Sequence, residues 1–316
     1  MDITISMLET GMRYEGFLLV RSADQREGKT GGKYLDMNLT DRTGEVNCKL
    51  WDGTVAPPAT GSVIKVRGLV QEYNGRKQLR IEKMRPAVEA DSVDLSRLVP
   101  CAPETSDAYR ERIDRTIDAF QSEDLKKIVR EMLRMAGDNL TWFPAAQRLH
   151  HAERTGLLHH TCSMLNTAEH IIAAYPFLQG DLLRAGVILH DLSKITEMKS
   201  DEMGNVTDYT RDGLLIGHLV RGVARLAEAA RNVGVTGEIV VLLEHMIISH
   251  HGIPEYGSPK PPMFPEAEVL NWIDTLDARM NEMEGIMARV PAGAFSEKIW
   301  SLDRRLYHPV YEDGAE

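Results

Sequence analysis

A chain of 316 residues, 43% of them hydrophobic, can bury real cores and divides most naturally into two domains. Its net charge of −10 excludes a uniformly basic nucleic-acid binder, and its three scattered cysteines (Cys48, Cys101, Cys162) exclude a disulfide framework or a thiolate metal site. No apolar run is long enough to span a membrane and the start lacks the regions of a signal peptide, so a cytoplasmic protein with reduced thiols and no membrane partner is expected.

The charge is unevenly spread. Residues 13–85 carry 14 Lys plus Arg against 9 Asp plus Glu, a local excess of +5, so a cationic N-terminal module is attached to an acidic body suited to divalent cations. From Tyr14 to about Arg85 the sequence runs through short apolar or alternating stretches (GFLLVRSA, YLDMNLTD, VNCKLWD, SVIKVRGLVQEY, QLRIEKM) broken by turn residues. Asn74-Gly75 between two β-rich stretches predicts a hairpin, and Arg42-Thr43-Gly44-Glu45 another turn. Some five strands without a helical period fit an all-β, closed barrel of the OB type. Tyr34, Trp51 and Tyr73 stand among Lys29, Lys33, Lys49, Arg76 and Lys77, a mixture of stacking faces and cations that single-stranded nucleic-acid binders use. The competing reading has the aromatics filling the barrel and the lysines solvated. The glycine-rich EGKTGGK lacks the spacing of a phosphate loop and reads as an inter-strand connection.

Residues 89–105 read as a linker between a barrel domain (1–88) and a helical domain (106–316). Beyond the linker the apolar period changes to three and four, with Ser106 and Ser122 as N-caps and Gly137 as a C-cap, and helix follows helix to about Met287. Residues 288–316 suggest no role.

All eleven histidines fall in the helical body, ten of them between His150 and His251, with His308 the exception. His160 begins one helix, His190-Asp191 closes another, His218 lies in a third, His250-His251 ends a fourth and Asp274 lies in a fifth. Any single histidine on an apolar face is more often a packed core residue than a ligand. Five separate elements each carrying an imidazole or carboxylate are what a helical bundle uses to assemble a buried metal site, and this donor set suits a first-row divalent ion. Lys194, one turn past His190-Asp191, is placed to reach the same pocket. His159 and His170 read as packing or surface residues; His150, His151 and His245 stand near the cluster in sequence without decisive spacing.

The order His, His-Asp, Asp resembles the HD superfamily of metal-dependent phosphohydrolases. Taken with YEGFLLVRSADQREGKTGGKYLDMNLTDRTGEVNCKLWD upstream and LHHAERTGLLHHT, ILHDLSK, GLLIGHLVRG, HMIISHHG and IDTLDA downstream, the chain resembles the YhaM-type 3′-5′ exoribonucleases, which join an OB-fold to an HD domain. The resemblance implies a multidomain chain, an OB-type barrel followed by an all-α HD domain. It implies His160, His190, Asp191 and Asp274 as core metal ligands, His218, His250 and His251 as ligands to a second ion, Lys194 on substrate phosphate, and His151 in a histidine pair that precedes the first ligand. It favours manganese, where the donor set alone admits iron, zinc or magnesium. The implied reaction is hydrolysis from the 3′ end of single-stranded RNA, with single-stranded DNA as a further substrate, to 5′-mononucleotides. In that reaction metal-activated water attacks the last phosphodiester and Lys194 stabilises the charge that develops. Two alternatives stay open: an HD-domain hydrolase of free or cyclic nucleotides with a regulatory barrel, and a non-catalytic nucleic-acid-binding protein. Self-association into a homo-oligomer is left open as well.

Overall fold

A computed structural model of the chain describes residues 3–28, 31–73 and 75–310. Lys29 and Asn74, named above, lie outside the described residues. The chain separates into two compact units, Met1–Cys101 and Ala102–Glu316.

In the first unit β1 (Arg13–Glu27), β2 (Lys33–Asp41), β3 (Gly44–Leu50), β4 (Val63–Tyr73) and β5 (Arg76–Pro86) close into a barrel in the order β1-β2-β3-β5-β4. β3 and β5 pair in parallel and every other neighbouring pair is antiparallel. The two-residue period decides which side chains fill it. Leu35, Met37 and Leu39 of β2 and Val46, Cys48 and Leu50 of β3 point inward and are buried, so Tyr34, Asn38, Asn47, Lys49 and Trp51 fall on the outer face. Tyr73 and Arg76 pair directly across the β4–β5 turn, where Gly75 adopts φ +73°. At the bulge between Arg67 and Gly68 the strands approach so closely that a Cβ on Gly68 would lie 2.4 Å from the Arg80 carbonyl oxygen, which only glycine avoids. After β5, residues 89–105 contain two 3-10 turns, Glu89–Asp91 and Leu95–Arg97, and Leu98 and Val99 are buried.

The second unit is helical: α1 (Ser106–Asp118), α2 (Glu123–Ala136), α3 (Gly156–Ala174), α4 (Gly180–Leu189), α5 (Lys194–Glu197), α6 (Arg211–Leu215), α7 (Gly217–Val233), α8 (Glu238–Ser249) and α9 (Pro265–Met287). Thr105, rather than Ser106, caps α1 by accepting from the Ala108 N–H, while Ser122 caps α2 and Gly137 ends it as expected. The run of helices is interrupted once by a two-stranded hairpin, β6 (Met198–Ser200) and β7 (Val206–Tyr209). Within this run of helices the stretch GLLIGHLVRG breaks at Ile216-Gly217, where Gly217 takes φ +75° and α7 begins afresh. α3, α4, α8 and α9 share a continuous apolar core that includes Leu157, Leu165, Leu183, Val187, Met246, Ile247, Leu270 and Ile273. Each histidine-bearing helix therefore presents one end to the interior, which fixes where the polar cluster forms. Among the described residues no helix is long and apolar enough to cross a membrane.

Candidate metal centre and nucleic-acid interface

Five elements deliver polar side chains to one point in the helical unit. His160 comes from the first turns of α3 and Asp274 from the middle of α9. His190 and Asp191 follow the last turn of α4, His218 begins α7, and His250 follows α8. Their distances are short: His160 Nε2 to Asp274 Oδ1 3.2 Å and to Asp191 Oδ2 3.9 Å, His190 Nε2 to Asp191 Oδ2 3.4 Å and to Asp274 Oδ1 4.0 Å. Asp191 Oδ1 lies 3.5 Å from His218 Nε2 and 3.7 Å from His250 Nε2. The ligand-type atoms of His218, His250 and His251 also lie within 4.8 Å of one another. The separate motifs thus meet in space.

The orientation of each ring is set from behind. His190 and His250 donate Nδ1–H to the carbonyls of Val187 and Ile247, at 2.8 and 2.7 Å, and His251 donates to Tyr256 O at 2.7 Å. His218 Nδ1 and its backbone N–H both contact Glu197 Oε1, at 3.0 and 3.1 Å, which the Gly217 break makes geometrically available. His160 Nδ1 bonds Asp277 Oδ2 at 2.7 Å. With the Nδ1 hydrogens occupied, each Nε2 faces inward and in the neutral ring carries a lone pair.

Those inward atoms have no hydrogen-bond partner. His160 Nε2, His190 Nε2, His218 Nε2, His250 Nε2 and Asp191 Oδ1 are all buried and unsatisfied, and the 3.2 Å approach of His160 to Asp274 lacks hydrogen-bond alignment. Leaving one buried polar atom unpaired costs about 1–3 kcal/mol, so five converging on one point mark a place built for something they all bind. Acceptors of imidazole and carboxylate type, with no thiolate, fit a divalent cation.

Electrostatics agree. Burial opposes charge on Asp191, but the Lys194 ammonium 2.6 Å away and the surrounding imidazoles hold its carboxyl far below the usual range. Burial depresses His250 to about 3, keeping it neutral and able to ligate. Burial also works against a proton on His160, yet Asp274 and Asp277 outweigh it and raise its pKa to about 9, so a cation arriving at Nε2 takes the place of a proton.

His151 stands one layer behind. Its Nε2 bonds Asp277 Oδ2 at 2.8 Å, so Asp277 joins His151 to His160, while Ser163 Oγ donates to the other oxygen of Asp277. His245 is not brought into the cluster: its Nε2 accepts the Met263 N–H at 3.0 Å and its ring lies against Phe264. His170 is exposed, as read, whereas His159 is drawn into a bonded group with Glu153 and His151. Asp277 and Glu197 were not singled out in the sequence. Asp277 carried a signal, one helical turn beyond Asp274 and therefore on the same face.

On the barrel, Trp51 (61% exposed) and Tyr73 (62%) do not fill the core, which Tyr14, Leu18, Leu35, Met37, Leu39, Ile64 and Leu79 occupy. Tyr34 stacks on Trp51 with ring centroids 4.6 Å apart, and Lys49 Nζ lies 4.9 Å from the Tyr34 ring centre and 5.9 Å from that of Tyr73. Among the described residues Lys33, Lys49 and Arg76 form no ion pair, whereas Lys77 donates to the Leu8 carbonyl. Beside them Asn47 links Asp36, Asn38 and Gln78 in a polar ladder across β2, β3 and β5. A concavity of about 610 Å³ lined by Asn38, Asn47, Lys49, Tyr73 and Arg76 lies over this face.

A barrel with exposed aromatics and cations, joined to a helical unit with a buried His/Asp cluster, defines a nucleic-acid-binding module linked to an HD-type metal centre. Comparisons bear on both parts. The family model described as an OB-fold nucleic acid binding domain matches residues 19–87, and that described as the HD domain matches 157–279. The HD domain implies a divalent metal, and the OB-fold match makes nucleic acid the barrel's partner. The chain is 38% identical over 309 residues to the 3′-5′ exoribonuclease YhaM of Geobacillus sp. (strain WCH70), covering 96% of this chain and 94% of that protein. It is 36% identical over 311 residues to the 3′-5′ exoribonuclease YhaM of Bacillus subtilis (strain 168), covering 97% and 98%. The chain belongs to the YhaM 3′-5′ exoribonuclease family.

Proposed function

We propose that the chain is a metal-dependent 3′-5′ exonuclease that hydrolyses the phosphodiesters of single-stranded RNA, and of single-stranded DNA, to 5′-mononucleotides. The observation that carries the reading is the set of inward, unpartnered imidazole nitrogens around Asp191 and Asp274, in a chain alike over nearly its full length to 3′-5′ exoribonucleases. His160, His190, Asp191 and Asp274 would hold one divalent cation, manganese for preference, and His218, His250 and His251 a second. When bound, the cation supplies Lewis-acid activation of water and of the phosphoryl group.

The chain's own residues supply the rest. Carbonyl and carboxylate partners hold each ligating ring in one tautomer, which removes reorganisation from the reaction. Lys194, almost buried and paired with Asp191 at 2.6 Å, sets a fixed positive charge where phosphoryl charge develops. The pair raises the pKa of Lys194 despite its burial, so the ammonium persists across the working pH range. On the barrel, Tyr34, Trp51 and Tyr73 would stack bases and Lys33, Lys49, Arg76 and Lys77 would take phosphates, holding a strand without reading its sequence. In this reading residues 1–88 form the strand-binding domain, 89–105 the connection and 106–316 the hydrolytic domain of a cytoplasmic enzyme.

The test is incubation of the full chain with 5′-labelled single-stranded RNA and manganese. Stepwise shortening from the 3′ end with release of 5′-mononucleotides is expected; intact RNA and intact single-stranded DNA at every metal concentration would sink the proposal.

A further inference from the structure

A second group of metal-ligating side chains lies outside the HD cluster. His151 Nδ1 and His159 Nδ1 face each other at 3.1 Å, and Glu153 Oε1 lies 2.8 Å from His159 Nδ1 and 3.7 Å from His151 Nδ1. Bonds of about 2.0–2.1 Å to a tetrahedral cation would set ligand atoms about 3.3 Å apart, a spacing that these three distances bracket.

Hydrogen bonding alone serves this group poorly. Asp277 accepts from His151 Nε2 at 2.8 Å, which in the neutral ring leaves His151 Nδ1 a lone pair, so a cation there would take the place of a proton. Glu153 Oε1 is an acceptor as well. The single hydrogen available on His159 Nδ1 would have to serve both neighbours, and one cation would serve all three atoms. The carboxylate behind His151 is also what a ligating imidazole ordinarily has at its far nitrogen.

The group is held in place by its backbone. His151 adopts φ +45°, a strained value for a residue with a side chain, and is fixed there by its N–H to Asn281 Oδ1 at 2.8 Å and its carbonyl to the Ala145 N–H at 3.1 Å. A Cβ on Gly156 would lie 2.0 Å from the His151 carbonyl oxygen, so a glycine at that position admits the loop. His159 also borders a cavity of about 500 Å³ that Tyr109, Arg112 and Asn166 line.

The geometry points to a distinct divalent transition-metal site of zinc type, made by His151, Glu153 and His159 and joined to the HD cluster through Asp277. Two His and one Glu with an open position form a recognised zinc donor set.

The experiment measures zinc per chain by elemental analysis after dialysis against zinc and removal of excess. It compares wild type, the double variant Glu153→Gln/His159→Gln, and the double variant Asp191→Asn/Asp274→Asn, each checked for folding by circular dichroism. The first variant is expected to hold one ion fewer than wild type. The second is expected to keep the ion that the first has lost, and after cobalt substitution to retain a visible ligand-field band that the first variant's loss accounts for. Equal zinc in wild type and Glu153→Gln/His159→Gln would overturn the site. Loss of every ion from that variant would overturn it too, because the group would then act only by positioning the HD cluster.

Discussion

Asp277 offers the sharpest test of how the HD cluster is held. One of its oxygens accepts from both His151 Nε2 (2.8 Å) and His160 Nδ1 (2.7 Å), and the other accepts from Ser163 Oγ. Asp277→Asn keeps the shape, and with its oxygen toward the histidines it keeps the bonds while losing their charge assistance. A charge-assisted bond is worth roughly twice a neutral one, so two weakened bonds cost about 2 kcal/mol. If that energy orients His160 for its cation, metal affinity falls about 30-fold, since about 1.4 kcal/mol is tenfold. Asp277→Ala removes the acceptor and leaves two buried N–H groups unpaired, at about 1–3 kcal/mol each, and is expected to lower both metal affinity and melting temperature further. Competition with a calibrated chelator reads the affinities, and thermal melts of chelated protein read the stability. Metal affinity and melting temperature unchanged in Asp277→Ala would refute the reasoning.

Other consequences are open to direct measurement. Trp51→Ala and Tyr73→Ala should each weaken binding of single-stranded RNA by about 1–3 kcal/mol per stacked base while barely moving the melting temperature, because both rings are exposed; a filter-binding series in which neither changes affinity would return them to plain surface. Gly156→Ala drives a Cβ to 2.0 Å from the His151 carbonyl oxygen, a backbone atom that cannot step aside, and should destabilise by about 1–3 kcal/mol in urea melts. Glu153 is opposed by burial, but its contacts with His151 and His159 bring its pKa down to about 2. A depressed carboxylate stabilises above its unfolded value, about 4.3, and that contribution fades as pH falls toward 2. In chelated protein the stability gap between wild type and Glu153→Gln should therefore close on acidification from pH 5; a gap independent of pH would contradict this assignment.

Much of this could be read from the sequence, and the unread part has definite causes. Strand positions were legible because a period of two is rigid: once Leu50 points inward, Trp51 must point out. The metal-type residues were legible because imidazoles and carboxylates recur on separate helices where a packed core would place leucine. Asp277 and Glu197 were harder. Asp277 acts through the far nitrogens of two rings, and Glu197 reaches His218 only because Gly217 breaks a helix that the apolar pattern runs straight through. His159 read as a packing or surface residue and Glu153 carried no signal, because their meeting depends on the left-handed turn at His151, which no periodicity announces. The β6–β7 hairpin is short enough to vanish among helical signals.

The proposed hydrolytic centre is tested most directly by His190→Ala/Asp191→Ala in the full chain, with cleavage of 5′-labelled single-stranded RNA and strand affinity measured side by side in manganese. A folded variant that binds the strand as wild type does but leaves it uncut is the predicted result. A folded variant that still shortens the RNA from its 3′ end would place the chemistry elsewhere.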